Sequence, residues 1–497
     1  MAAAAPSNAA AGVDSAPAGR DHVVVFPFMA KGHMIPLFHF AAALAAHHGD
    51  IRVTLVTTPA NLAFARRGLP ASVRVVVIPF PVHPQLPAGV ESTDALPSHA
   101  VFPAFLRATA LLREPFAEFL ASLPSPPLVL VSDFFLGFTQ RVASDAGIRR
   151  LTFHGMSAFS LALCFTLATR PPAAVEDGVQ FHVPGFPENV KIIADEVPDA
   201  VVQVLNTDDP VTQFLEDEVR HWDYHSWGVL VNSFAALDGE YVAILESFYL
   251  PGSRAWLVGP LFLAAGESPE TKQEDDDPED CLPWLDERAG RPGSVVYVSF
   301  GTQVHVPAAQ LDELAHGLVE SGHAFLWGVR SADWSPPVDT GANGKIVRGW
   351  VPQRRVLSHP AVGAFLSHCG WNSVLESLAA RRPMLAWPVM AEQAANAKHV
   401  ADIVGAGVRV GRPAKPVSST SPAVVVGRAQ VAEKVRQLMD SGEEGRSIRA
   451  RAEEVHHAAR AAVEEGGTSR VALRQLVEEL RATYVAVDGG GQTAQER

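Results

Sequence analysis

The 497-residue sequence has few cysteines and no long apolar run, and each absence excludes a class of protein. Its three cysteines, Cys164, Cys281 and Cys369, are far apart and form no C-x-x-C pair, so neither a disulfide framework nor a structural zinc site is indicated. This composition fits a reducing compartment, and we expect a cytoplasmic protein. No stretch reaches the roughly 18 uninterrupted apolar residues that a membrane-spanning helix needs.

Positive charge is also scarce. The sequence has 40 Lys and Arg against 54 Asp and Glu, a formal net charge of -14, and it has no basic stripe with interleaved aromatic residues. Nucleic acid is therefore not an expected partner. The start of the chain is rich in alanine but lacks the basic and apolar regions of a signal peptide, so we predict a disordered tail over residues 1–19.

Apolar residues, in contrast, are plentiful enough for two domains, at 47% of the chain. Short β-branched runs such as HVVVFPF (22–28), IRVTLVTT (51–58) and PLVLVSDF (127–134) alternate with helical stretches. The alternation stops and then restarts with SVVYVSFG (294–301). It predicts an α/β fold made of two Rossmann-like, doubly wound domains.

An acidic, turn-rich segment, AAGESPETKQEDDDPEDC (264–281), separates the two halves. We interpret it as a linker and not as a metal site, because the ligand order of a calcium loop is missing. Near the end of the chain, apolar residues recur along one face of an amphipathic helix, which should dock. The predicted segments are an N-terminal domain over 20–262, the linker over 263–281, a C-terminal domain over 282–470, the amphipathic helix over 471–485 and a flexible tail over 486–497.

Polar residues follow three of the predicted strands, and ligands of open α/β sheets bind at such strand ends. In FPFMAKGHMIP, Gly32 permits close backbone approach. His33, between the strand and its helix, would be held neutral by the helix dipole and is a candidate general base, the alternative being a surface or capping histidine. In VLVSDFF, Asp133 could orient such an imidazole, or it could cap a helix.

The third junction, AVGAFLSHCGWNSVLES (361–377), joins a strand to a helix. Backbone amides of residues 370–373 would lie unpaired at the positive helix end, which suits an anion such as phosphate, and His368, Asn372 or Ser373 could add hydrogen bonds. Ser373 as a nucleophile is the alternative, but the G-x-S-x-G elbow is absent. The G-x-G-x-x-G motif of dinucleotide oxidoreductases is absent too.

The stretch from Trp350 to Gln393, WVPQRRVLSHPAVGAFLSHCGWNSVLESLAARRPMLAWPVMAEQ, closely resembles the signature box of plant UDP-dependent glycosyltransferases and matches its full length without a gap. G-H-x-x-P after the first strand, S-D-x-F from Ser132 to Phe135 and V-Y-V-S-F-G at 296–301 extend the resemblance over nearly the whole chain. It implies the GT-B architecture, two facing Rossmann-like domains with the last helix crossing back to the N-terminal domain.

The resemblance also implies a site for the nucleotide of a UDP-sugar. Trp350 would stack on the uracil, while Val351, where the family often has Ala, and Gln353 would contact the base and ribose. Glu376 would accept hydrogen bonds from the ribose hydroxyls. The residues implied at the diphosphate, around the helix N-terminus, are Thr302, His368, Gly370, Trp371, Asn372 and Ser373.

At the end of the box, Glu392, where Asp is frequent in the family, and Gln393 would read the sugar hydroxyls. Gln393 resembles glucose-using members, so the resemblance implies UDP-glucose as the donor. His33 would remove the proton of an acceptor hydroxyl as its oxygen attacks the anomeric carbon, and Asp133 would offset the charge that the imidazole gains. This displacement inverts the anomeric carbon, and it requires neither a metal nor a permanently bound cofactor.

The acceptor pocket is expected among aromatic and apolar residues of the N-terminal domain. The candidates are Phe28, Met29, Phe134, Phe135, Phe138 and residues 153–156. Such a lining favours a small hydrophobic acceptor, with a flavonoid or another phenolic first, and we expect a monomer. Alternatives are C-glycosylation of a phenolic ring, a GT-B epimerase or hydrolase that acts on the nucleotide sugar, and a UDP-sugar sensor without catalysis.

Overall fold

The computed structural model describes residues 21–171, 178–204, 208–266, 277, 279–301, 304, 306–331, 333–411 and 425–490. Two separate parallel sheets organise this part of the chain, as the alternating pattern predicted. The predicted tail 1–19, most of the predicted linker 263–281 and Thr302 lie outside the described residues.

The first sheet has the strand order β3-β2-β1-β4-β5-β8-β9, with all pairs parallel. Its strands are β1 His22–Phe26, β2 Arg52–Thr57, β3 Val73–Val77, β4 Val129–Asp133, β5 Arg150–Phe153, β8 Gly228–Val231 and β9 Arg254–Leu257. A small antiparallel hairpin of β6 (Phe181–His182) and β7 (Lys191–Ile192) lies apart from it. The strand order reverses between β1 and β4, which makes their carboxyl ends the ligand-binding crevice of this sheet.

The second sheet has the strand order β12-β11-β10-β13-β14-β15 and is also parallel throughout. Its strands are β10 Val295–Ser299, β11 Ala324–Gly328, β12 Gly344–Val347, β13 Val362–Ser367, β14 Met384–Ala386 and β15 Gly407–Arg409. Here the order reverses between β10 and β13. The crevice of this sheet therefore lies after Ser299 and Ser367.

Helices cover the faces of both sheets, which is why most strands read as continuous apolar runs. In the first half they span Lys31–His47, Leu62–Gly68, Phe102–Ala110, Arg113–Ala121, Phe138–Asp145, Ala158–Thr169, Asp199–Val204, Pro210–Phe214, His221–Tyr224, Ala235–Asp238, Val242–Glu246 and Leu261–Ala264. In the second half they span Cys281–Asp286, Ala308–Ser321, Gln353–Ser358, Trp371–Ala379, Gln393–Lys398, Arg428–Met439, Glu443–Val463 and Thr468–Gly490.

The first strand and the first helix differ from their predicted bounds. The strand ends at Phe26 and not at residue 28, since Pro27 has no N–H for the ladder. The helix begins at Lys31, before the predicted LFHFAAALAAHH stretch, because the Ala30 carbonyl accepts from the amides of His33 (2.9 Å) and Met34 (2.8 Å). His33 thus lies inside the first helical turn and not in the loop before it.

The last helix, Thr468–Gly490, returns to the N-terminal sheet. It starts three residues before the predicted 471 because the chain reverses at Gly466, whose φ is +79°, and it continues into the predicted tail 486–497 as far as Gly490. Its buried face packs among core residues of β1, β4 and the first helix. Leu473, Leu476, Val477 and Leu480 belong to this face.

Candidate active site

His33 and Asp133 meet at the crevice of the first sheet. His33 Nδ1 and Asp133 Oδ2 are 2.6 Å apart, although the two residues are 100 positions apart in the chain. They meet because β1 pairs with β4, and His33 follows the first of these strands while Asp133 ends the second. Since Nδ1 is occupied, Nε2 is the ring nitrogen left to accept a proton from a ligand.

The Asp133 carboxylate is fully buried and held from several sides. Its Oδ1 accepts from the Phe135 amide at 3.1 Å, and its main-chain carbonyl accepts from Arg150 Nη2 at 3.0 Å. Burial lowers the pKa of His33, but the Asp133 charge and hydrogen bond outweigh it, with help from Glu392, so the pKa is raised above 6.5. The expectation that the helix dipole keeps this imidazole neutral stays a prediction, and the Asp133 carboxylate acts against it.

Aromatic rings surround His33. Phe28 lies edge-on at 5.6 Å between ring centroids, Phe135 at 5.8 Å and Phe134 at 6.2 Å. Met29 is buried beside them in the same apolar cluster. Phe138 does not join this group, because it is packed between Phe26 and Phe116 in the core at 6.3 and 6.2 Å. The prediction that Phe138 contacts the acceptor is therefore not supported by its position in the core.

A buried polar cluster supports Asp133, and sequence reasoning missed it. Arg150 is 1% exposed and donates to Ser132 Oγ (2.8 Å) and Ser226 Oγ (2.8 Å) as well as to Asp133. Asp223 accepts from the Thr152 hydroxyl at 2.6 Å and pairs with His154 at 2.9 Å. An arginine inside the strand pattern at residue 150 was the signal available, because a buried charge requires partners.

The C-terminal sheet contributes a helix N-terminus to the same cleft. The helix Trp371–Ala379 begins directly after Gly370, and Cys369 before it has a φ of +66°. The His368 ring lies so close to Gly301 and Gly370 that a Cβ added at either glycine would come within 2.8 Å of it. Burial lowers the pKa of His368 to about 4, so at neutral pH this imidazole is an uncharged hydrogen-bond partner.

Residues implied at the base and ribose lie beside this helix. Trp350 is 42% exposed, one of the more exposed large apolar side chains of the described part of the chain, and Val351 is half-buried next to it. Gln353 Nε2 donates to Glu376 Oε2 at 2.7 Å and to Ser373 Oγ at 3.1 Å. Gln353, Ser373 and Glu376 thus form one connected polar group.

Two side chains from the start of the helix cross to the N-terminal domain. The buried Trp371 donates its indole N–H to the Asn232 carbonyl at 2.8 Å, and Asn372 Nδ2 donates to the Gly32 carbonyl at 2.8 Å. Gly32 can accept this bond because the helical donor four residues on is Pro36, which has no N–H. In this structure both side chains therefore connect the two domains, and the bond of Asn372 lies next to His33.

Glu392 and Gln393 complete the cleft. The side-chain carbonyl oxygen of Gln393 accepts from the amides of Val389 and Met390, both at 3.0 Å. This leaves the side-chain amino group to donate to a ligand. Burial raises the pKa of Glu392 above its usual value, against opposing effects that include the charge of His33. Glu392 is therefore close enough to His33 for the two groups to influence each other.

Within the described ranges, the structure contains no group of three or more side chains suited to holding a metal ion. Among the helices of the described residues, none combines the length and the hydropathy that crossing a bilayer needs.

Comparisons with known proteins cover almost the full chain. Residues 21–263 match the family model "Glycosyltransferase, N-terminal domain", and residues 260–420 match "UDP-glucoronosyl and UDP-glucosyl transferase". An anthocyanin 3'-O-beta-glucosyltransferase of Gentiana triflora is 37% identical over 484 residues, which cover 92% of this chain and 98% of that protein.

Solved structures agree with the sequence matches. Glycyrrhiza uralensis UGT73P12 complexed with glycyrrhetinic acid 3-O-monoglucuronide aligns with a TM-score of 0.83 at 30% identity, over 95% of this chain and 98% of that one. Phytolacca americana UGT2 complexed with UDP-2fluoro-glucose and pterostilbene aligns with a TM-score of 0.74 at 29% identity, over 93% and 100%.

Proposed function

The chain belongs to the plant UDP-glycosyltransferase family and is a glycosyltransferase of the GT-B fold, and from this premise we propose that it transfers glucose from UDP-glucose to a hydroxyl of a small phenolic acceptor. The observation that carries the proposal is the 2.6 Å His33–Asp133 hydrogen bond beside the N-terminus of the helix Trp371–Ala379. A base and an anion site on opposite walls of one cleft suit the attack of a hydroxyl on a nucleotide sugar.

In the proposed reaction, the acceptor hydroxyl donates its proton to His33 Nε2 while its oxygen forms a bond to the anomeric carbon. Asp133, bonded to Nδ1, stabilises the imidazolium that results. The bond from the anomeric carbon to the UDP oxygen breaks on the opposite face, so an α-linked sugar leaves as a β-glycoside. The proton goes to His33, the acceptor oxygen supplies the electron pair of the new bond, and UDP leaves with the electron pair of the broken bond.

The departing UDP gains negative charge on its diphosphate. In the proposed complex, the free amides at the start of the helix and the neutral His368 hydrogen-bond these oxygens, and preorganised donors of this kind stabilise a leaving anion. The Asn372 amino group has two N–H donors, so it would keep its bond to the Gly32 carbonyl and use the second N–H for a phosphate oxygen. Trp350 would stack on the uracil, which is consistent with its exposed ring.

The sugar and the acceptor are assigned from side-chain chemistry and from relatives. Glu392 offers an acceptor and Gln393 a donor, a pairing that suits adjacent sugar hydroxyls. The rings of Phe28, Phe134 and Phe135 suit a flat apolar acceptor whose hydroxyl reaches His33. The Gentiana relative is named for an anthocyanin, and the Phytolacca structure holds pterostilbene and a UDP-glucose analogue.

The test is product formation from UDP-glucose and a panel of flavonoids and simpler phenolics, with UDP release and product mass as readouts. We expect a hexose-mass product from the natural chain and, for His33→Ala, a loss of turnover of about 100-fold to 10,000-fold, the usual range for a general base. His225→Ala is the matched control, because His225 is exposed and its ring is hydrogen-bonded to the His221 carbonyl, away from Asp133.

Binding of UDP by His33→Ala, measured by calorimetry, should equal that of the natural chain. UDP release that does not depend on an acceptor would favour a hydrolase and contradict the proposal. So would full activity of His33→Ala. Acid treatment of the product separates the two linkages, since a C-glycoside resists hydrolysis and an O-glucoside does not.

A further inference from the structure

The short helix Gln393–Lys398, which follows Glu392, contains a fully buried asparagine, Asn396. Its amino group donates to the Cys369 carbonyl at 2.9 Å and to Glu392 Oε1 at 3.2 Å. Its side-chain carbonyl oxygen accepts from the Ser160 hydroxyl at 2.6 Å. One side chain therefore connects Glu392, four residues before it, to the turn at Cys369 and to Ser160, which is 236 residues away in the chain.

These partners leave the carboxamide only one orientation. The Cys369 carbonyl and the Glu392 carboxylate can only accept, so both must face the amino group. Ser160 supplies the O–H that the remaining carbonyl oxygen needs. A flipped amide would place oxygen against two acceptors, which is costly in a site without access to water.

Two of the three partners are firmly placed by their own surroundings. Cys369 is fully buried at the turn that starts the helix Trp371–Ala379, and its amide donates to Ser367 Oγ at 3.3 Å. Ser160 is fully buried in the helix Ala158–Thr169 of the N-terminal domain. The Glu392 carboxylate is the third partner, and it lies at the cleft.

We propose that Asn396 is a positioning residue for sugar recognition, which takes its orientation from the Cys369 carbonyl and the Ser160 hydroxyl and uses it to hold the Glu392 carboxylate toward the sugar. The inference rests on the proposed function, because it assigns the sugar contact to Glu392. Asn396 itself touches no substrate.

Docking of this segment does not depend on the Asn396 bonds alone, because other contacts hold the same segment. The Asp199 amide donates to the Ala391 carbonyl at 2.9 Å. Glu196 pairs with Lys398 at 3.1 Å and also with Arg409. The segment from residue 391 to 409 is thus attached to the N-terminal domain without Asn396.

The experiment measures the dissociation constants of UDP and of UDP-glucose by calorimetry for the natural chain, four single variants and one double variant. Asn396→Ala should weaken UDP-glucose binding about tenfold, as loss of a hydrogen bond to a charged group does, and change UDP binding less than about twofold. Ser160→Ala should shift the same ratio in the same direction by less, since it removes one anchor and keeps the bond to Glu392.

The other two single variants, Glu196→Gln and Glu392→Ala, distinguish a role of Asn396 in docking the helix from a role in holding Glu392. Glu196→Gln weakens the docking of the same helix without touching Glu392, so it should leave the ratio of the two constants unchanged. Glu392→Ala should lower UDP-glucose affinity by itself, and Asn396→Ala added to it should cost almost nothing more. This non-additivity is the signature of one residue acting through another.

Equal weakening of UDP and UDP-glucose binding by Asn396→Ala, or additive effects with Glu392→Ala, would make Asn396 a structural residue and overturn the inference. If Asn396→Ala does not fold, the Ser160→Ala ratio decides, and an unchanged ratio overturns it. An effect of Glu392→Ala without one from Asn396→Ala rejects the inference alone. Expected binding ratios without transfer to any acceptor reject the proposed function and retain the inference.

Discussion

At the scale of single residues, opposing effects determine the pKa of His33. Burial favours the neutral ring, whereas the Asp133 carboxylate 2.6 Å away favours the charged ring and prevails. Only the neutral form can accept a proton. Activity should therefore fall as the pH drops through the raised pKa of His33, at a value above 6.5.

Replacing Asp133 by Asn should reverse this shift. Without the carboxylate, burial remains as the main effect on His33, so the acid limb of kcat/KM should move to lower pH, while kcat falls by about 100-fold or more because the imidazolium loses its partner. The measurement is kcat/KM for the acceptor from about pH 5 to pH 9.

Asp238→Asn, which changes a fully buried carboxylate that accepts from the amides of Ala158 and Phe159 and not from His33, is the control and should leave the acid limb in place. An acid limb that stays at the same pH in Asp133→Asn would mean that another group controls it.

Residues that follow strands could be predicted from the sequence, and residues that only pack against them could not. His33 and Asp133 each follow an apolar run, and parallel strands bring such positions to one edge of a sheet. Arg150 and Asp223 belong to no sequence motif. Their bonds form only when the fold brings together residues that are some 70 positions apart in the chain. Asn396 lies four residues after Glu392, a spacing that faces the same side of a helix and could have indicated the pair.

At the scale of elements, the helix Trp371–Ala379 depends on the absence of a side chain at Gly370. A Cβ there would lie 2.5 Å from His368 Nε2 and would displace the ring. Gly370→Ala should therefore weaken UDP binding by about tenfold or more, because the ring and the free helix amides would no longer converge on the diphosphate.

Gly442→Ala is a matched control for this change. Gly442 occupies the same capping position before the helix Glu443–Val463, and a Cβ there would meet nothing within 4 Å. Calorimetry with UDP should show no change for it. Unaltered UDP binding by Gly370→Ala would exclude His368 and this helix end from the diphosphate site.

A second prediction concerns Pro36, which lies inside the helix Lys31–His47. Pro36→Ala restores an N–H that can bond the Gly32 carbonyl, so the helix Lys31–His47 should become more stable, by up to about 3 kcal/mol. The restored bond competes with Asn372 Nδ2 for the same oxygen and should reduce kcat, although the protein is more stable. Urea unfolding and steady-state kinetics measure the two effects.

Pro210→Ala provides the comparison, since Pro210 is the first residue of its helix, where the missing N–H has no partner in any case. It should leave kcat unchanged. A Pro36→Ala variant with full kcat would show that the bond between Asn372 and Gly32 has no part in turnover.

Elements were predictable to different degrees for physical reasons. Buried parallel strands are uniformly apolar, so β1, β4 and β10 were found within one or two residues of their ends. The start of the first helix was missed because glycine and proline inside it read as breakers, while the Ala30 carbonyl in fact nucleates the turn.

At the scale of the whole molecule, the last helix stabilises a domain that is distant in sequence. Leu476 is 2% exposed and packs in the core of the N-terminal sheet. Leu476→Ala should lower the free energy of unfolding by about 2–5 kcal/mol, the usual cost of a cavity left by leucine. Urea unfolding followed by circular dichroism measures it.

Glu478→Ala, on the exposed face of the same helix, should change the free energy of unfolding by less than about 0.5 kcal/mol. A loss as small for Leu476→Ala would mean that the helix does not contribute to the stability of the N-terminal domain.

The docking of this helix has a consequence for synthesis on the ribosome. The N-terminal sheet is complete once Leu257 has been made, but Leu476 and Leu480, which cover part of its apolar core, are added more than 200 residues later. At 5–20 residues per second, the interval lasts roughly 10–45 s. During that time the nascent N-terminal domain carries an uncovered apolar groove, which makes it a substrate for chaperones until translation reaches the last helix.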